Sequence, residues 1–172
     1  MKKYIITAIL FCSTAIPVFA QHDHEAHQQA AASTLHTISN SSLAQLLTSY
    51  YTIKDALAGD NADLASKAAA SFLKVIHEMD NNTSSAGSIR PLVNDATIIA
   101  DAKDIKKQRD AFAGLSVKMF ALAKSTRLSS NPVYYSYCPM KKAYWLTNSR
   151  EIKNPYYGSK MSSCGKIVET LN

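Results

Sequence analysis

The sequence predicts an all-α protein: a three- to four-helix antiparallel bundle closed by a C-terminal loop-rich cap with room for a short β-hairpin. Three observations predict it. Apolar residues recur at three- and four-residue steps from residue 41 to 126, polar breaks divide that stretch, and the helical period vanishes after Pro132. The organisation that follows is a signal peptide over 1–20, a histidine-containing tail over 21–40, and one domain over 41–172 with its cap at 132–172.

Leu43, Leu46, Leu47, Tyr50, Ile53 and Leu57 share one face of a first helix, with Ser41 and Ser42 before them as capping residues. Gly59-Asp60-Asn61 breaks the chain. Leu64, Ala68, Phe72, Val75, Ile76 and Met79 form a second stripe, followed by the polar loop "DNNTSSAGS". A connection as short as 59–61 packs the two helices antiparallel. Pro91 fits the first turn of a third helix bearing Leu92, Ala96 and Ile99, and Ile105, Phe112, Leu115, Met119 and Leu122 mark a fourth. The division between these two falls near Asp101 to Asp104, and a continuous helix there would reduce the bundle to three.

The first residues bear on the compartment. Lys2 and Lys3 precede "YIITAILFCSTAI", an apolar run too short to span a bilayer, and Val18-Phe19-Ala20 supplies a small residue before a cleavage point, which is the pattern of a secretory signal. Removing 20 of the 172 residues leaves 152, one domain's worth. Lys2 and Lys3 leave with the signal, so 17 basic residues face 13 acidic ones, a mild excess of four. The lysines are scattered, which together with export argues against nucleic acid as a partner. No later apolar stretch approaches membrane length, so no membrane insertion is expected after signal removal. The expected location is the periplasm or the medium.

The segment "QHDHEAHQQAAAST" has no apolar period and reads as a mobile tail. His22, His24 and His27 make it a candidate accessory metal binder, since imidazoles at this density take up Cu(II), Ni(II) or Zn(II) weakly. The helices carry no glycine-rich phosphate loop, no Gly-x-Ser-x-Gly elbow and no Cys–His pair with an orienting acid. An enzyme is therefore not expected.

The cap has a different composition. Val133-Tyr134-Tyr135 and Tyr137 favour an extended strand, while Asn154-Pro155 and Gly158 mark tight turns. Trp145, Tyr156 and Tyr157 are expected to pack the cap onto the bundle. Cys138-Pro139-Met140 and Met161-Ser162-Ser163-Cys164 place two thiols and two thioethers in mirrored groups, soft ligands of the type that select Cu(I). The same cysteines, in an exported chain, equally permit a Cys138–Cys164 disulfide worth about 3–4 kcal/mol in the chain-entropy account. Both readings stay open, and the two states can alternate.

"YCPM", "YWL", "EIKNPYYG" and "KMSSCG", in that order, resemble the C-terminal signature of the domain of unknown function family 3347. "YYTIKDAL" and "QRDAFAGLSVKMFAL" are similar to that family's first and last helices, so the resemblance covers about residues 43 to 168. Lys141-Lys142 and Ala143-Tyr144 depart from it, standing where small residues and glycine are expected before the Trp. These exported domains occur alone or joined to the adaptor subunits of heavy-metal efflux pumps. The resemblance thus implies an association with copper or related metals, carried onto Cys138, Met140, Met161 and Cys164, and a heavy-metal efflux adaptor or envelope protein as partner. The function expected is non-enzymatic binding or handover of a soft metal, Cu(I) first. The alternative is a disulfide-stapled interaction module without metal.

Overall fold

The computed structural model describes the backbone of residues 25–82 and 89–172 and the side chains of 41–79 and 89–172. The signal-like residues 1–20, together with His22, His24 and the side chain of His27, lie outside the described residues. Four α-helices are present among the described residues: α1 (Glu25–Ala58), α2 (Ala62–Asn82), α3 (Val93–Asp101), which follows a 3-10 turn at Arg90–Leu92, and α4 (Ile105–Ser125). Three strands follow: β1 (Val133–Cys138), β2 (Ala143–Thr147) and β3 (Lys166–Leu171). They form one antiparallel sheet in the order β2-β1-β3.

The protein is therefore α+β, and the all-α expectation is corrected. The bundle is as expected, but the cap is a sheet. A lone hairpin of β1 and β2 is marginal in water, and a third strand makes it a stable layer. That strand is Lys166-Ile167-Val168-Glu169-Thr170-Leu171, whose alternate residues are exposed and half-buried.

The division between α3 and α4 falls where the sequence placed it. Asp104 caps α4 by accepting hydrogen bonds from the backbone N–H groups of Lys106 and Lys107, at 3.2 and 3.1 Å. Gln108, wholly buried, donates from Nε2 to the carbonyls of Ala62 and Ala102, both at 2.9 Å, and so ties the start of α2 to the residue that follows α3. Ser41 and Ser42 do not cap a helix. They lie inside α1, which runs on towards the N-terminus as far as Glu25, within the stretch expected as a tail.

Leu46, Tyr50, Ile53, Leu57, Phe72, Ile99, Phe112, Leu115 and Met119 fill the core. Leu64, expected on the inner stripe of α2, is 45% exposed instead. The core continues into the cap without a seam. Tyr50 stacks on Phe112 with centroids 5.2 Å apart, Phe112 meets Tyr156, and Tyr156 meets Trp145 edge-on. The Tyr50 hydroxyl pairs with Ser116 Oγ at 2.7 Å and accepts from the Leu146 N–H of β2 at 3.1 Å. Burial pushes the Tyr50 phenol far above its ordinary value.

A polar latch joins cap and bundle further along. Arg109 Nη2 donates to Asp60 Oδ1 and to the Leu57 carbonyl, both at 2.7 Å, and its Nε donates to the Pro155 carbonyl at 2.9 Å. Asp60 also accepts from the Ser159 N–H at 2.8 Å. No helix among the described residues is long and apolar enough to cross a membrane.

Candidate metal centre

One end of the sheet, where β1 finishes and β3 starts, brings the cysteines of the cap together. Cys138 is the last residue of β1 and pairs with Ala143 across a turn closed by Lys142, whose φ of 55° places it in the left-handed region. Tyr137, next to it, pairs with Lys166, the first residue of β3. Cys164, two residues before Lys166, is thereby delivered to the same end of the sheet. Cys138 and Cys164, the two cysteines among the described residues, carry free thiols; Cys138 is buried and Cys164 partly exposed.

Donors converge on the buried sulfur. The Lys141 N–H points at Cys138 Sγ at 3.5 Å, and Asn154 Nδ2 donates to it at 3.1 Å. Asn154 is wholly buried and also donates to the Cys164 carbonyl at 2.6 Å, while its Oδ1 accepts from the N–H groups of Tyr156 and Tyr157 at 2.8 and 3.3 Å. One amide therefore fixes the backbone of one cysteine, the sulfur of the other and the turn between them. The Cys164 thiol is pushed up by burial first and then by repulsion and thiol contact with Cys138, against which the Met140 N–H acts.

The methionines take a different position. A 3-10 turn at Gly158–Met161 leads to Cys164, whose N–H donates to the Met161 carbonyl at 3.1 Å. Met161 and Met140 remain 38% and 58% exposed, unusual for thioethers in a chain with so full a core. Trp145 and Tyr156 are buried and Tyr157 is half-buried, so all three lie within or against the core of the cap. The Trp145 indole lies so close over Gly165 that a Cβ there would come within 2.6 Å of it, which walls the side of the site next to Cys164.

Among the described residues no three His, Cys, Asp or Glu side chains converge. The donor set on offer is sulfur: two thiols side by side, able to become two anionic ligands on losing their protons, with a thioether on each flanking turn. The same pair can give up two electrons and close a disulfide. Asn154 was legible in the sequence only as a turn residue; its side-chain reach to Cys138, sixteen positions earlier, depends on the fold.

No curated protein and no solved structure matches the chain. Residues 46–131 match the family described as "Protein of unknown function (DUF3347)". The match takes in the bundle from Leu46 onward and ends just before β1, short of the coverage to residue 168 that the cap motifs suggested. Matched along half of its length, residues 46–131 of 172, the chain belongs to the DUF3347 family.

Proposed function

We propose that the protein is an exported, non-enzymatic carrier that takes Cu(I) as its cargo through Cys138 and Cys164, with Met140 and Met161 as thioether donors at the rim. The observation that supports this reading is the pairing of two free thiols under hydrogen-bond donors, with the only two exposed methionines among the described residues on the turns beside them. Anionic sulfur with neutral thioether is a soft donor set, and soft donors favour Cu(I) over Zn(II) or Mg(II). A signal-like start supports export, and the resemblance of the cap motifs to domains joined to efflux adaptors supports such an adaptor as the receiving partner. His22, His24 and His27 would serve as a weak accessory site that raises local metal concentration.

The test is anaerobic titration of the reduced protein with Cu(I) against a chromophoric competitor. One Cu(I) per chain is expected. Outer groups around a metal already contribute about 10- to 100-fold to affinity, so Cys138→Ser and Cys164→Ser should each lower it by more than about 100-fold. Unchanged affinity in both variants overturns the reading. It would favour the alternative that the adjacency of the thiols also supports, a permanent disulfide staple in a module that docks on an envelope partner.

A further inference from the structure

We infer that Cys138 and Cys164 form a reversible thiol–disulfide gate with a fixed order of attack, in which Cys164 attacks first, Cys138 resolves, and Asn154 is the positioning residue that holds the pair in register. What the gate controls rests on the carrier reading above; the gate itself rests on the geometry of the thiols. Cys138 is wholly buried, so an external disulfide cannot reach it. Cys164 is partly exposed, between the exposed Ser163 and the half-buried Gly165. Of two adjacent thiols, only one can meet an oxidant.

The exchange balances with an oxidant of the disulfide class, such as glutathione disulfide or the disulfide of an oxidoreductase. Cys164 loses its proton and its sulfur attacks one sulfur of that disulfide, forming a mixed disulfide and releasing the first thiolate. Cys138 then loses its proton and attacks Cys164 Sγ, forming the internal S–S bond and expelling the second thiolate. Two protein thiols are oxidised and one external disulfide is reduced to two thiols. Donation from Asn154 Nδ2, and from the Lys141 N–H, stabilises negative charge on Cys138 as it becomes the second nucleophile. Asn154 also grips the Cys164 carbonyl, which keeps the mixed disulfide facing Cys138. Once closed, the bond leaves no thiolate for a soft cation, and reduction restores both.

The experiment is to mix the reduced protein with glutathione disulfide, quench by acid at intervals, and map glutathione by peptide mass spectrometry. The expected result is transient modification at Cys164 alone, followed by loss of glutathione with formation of the internal disulfide. In Cys138→Ser the adduct should persist on Cys164. Asn154→Asp retains an acceptor for Tyr156 and Tyr157 but removes the donor to sulfur. It also loses the donor to the Cys164 carbonyl and sets a carboxylate beside the attacking sulfur, so it should slow the second step by at least about tenfold, the size of a lost hydrogen bond to a charged group, while far-ultraviolet circular dichroism checks that the variant is folded. Modification of Cys138 first, or an adduct on wild type that never resolves, overturns the gate. An unchanged second step in a folded Asn154→Asp protein overturns the role of Asn154. Cu(I) uptake measured on the same samples separates the two proposals. Thiols that cycle in order in a protein that never binds Cu(I) support the gate and overturn the carrier. Uptake by the reduced form without cycling overturns the gate alone.

Discussion

Gly158 shows how one position can decide the junction between bundle and cap. Its φ of 55° is a conformation glycine adopts freely and other residues adopt at a cost of about 1–2 kcal/mol. A Cβ there would also strike the Asp60 carboxylate, coming within 2.6 Å of Cγ, and would press on the Arg109 guanidinium. Gly158→Ala should therefore strain the backbone and displace the latch together, a loss of about 2–4 kcal/mol in urea denaturation, and a loss under 0.5 kcal/mol would show that the latch is slack. The glycine and Asn154-Pro155 were readable in the sequence as turn formers because turn chemistry is local. What they touch was not readable. Asp60 lies 98 positions before Gly158, and a loop Asp carries no local sign that it will be the acceptor for Arg109 and Ser159. Lys54 makes the same point from the opposite side. It reads as a solvated helix lysine, yet it is only 4% exposed, paired with Asp55 at 2.6 Å and placed over the Tyr51 ring.

The helices were legible because their signal is a period, and a period repeats often enough to survive one misplaced residue such as Leu64. The strands carried less. β1 showed its β-branched and aromatic character, but β3 has only six residues, and its alternation of exposed and half-buried positions is not matched by polarity, since Val168 is exposed and Glu169 half-buried. Its place beside β1 is a long-range pairing that no window of sequence contains. β2 is the other outer strand; besides its ladder with β1 it is tied to the bundle by Tyr50, whose hydroxyl accepts the Leu146 N–H and pairs with Ser116. Tyr50→Phe keeps the stack on Phe112 and removes only that oxygen. A buried N–H left without an acceptor costs about 1–3 kcal/mol, so the variant should lose stability by that amount. Amide exchange at Leu146 should accelerate with it. Unchanged exchange at Leu146 would mean that another group holds the edge of β2.

Because the aromatic column and the latch both cross from bundle to cap, the two should unfold as a unit even though the family match covers the bundle alone. The chain supplies separate reporters for the two parts: its single Trp, Trp145, is in the cap, and its helices lie in the bundle. Urea transitions followed by Trp145 fluorescence and by far-ultraviolet circular dichroism should coincide at neutral pH. Acid should act on both at once through Asp60. Hydrogen bonds from Ser159 and Arg109 hold the Asp60 carboxyl well below the usual carboxylate range. A folded-state value below the unfolded one, about 3.9, means that the ionised carboxylate stabilises the fold above that pH and that the contribution fades as pH falls toward the folded value. The midpoint of both transitions should therefore drop together below about pH 4, and Asp60→Asn should start from a lower midpoint at neutral pH and fall less steeply in acid. A fluorescence transition that precedes the helical one, or an acid dependence left intact in Asp60→Asn, would show instead that the cap detaches on its own and that the latch does not couple it to the bundle.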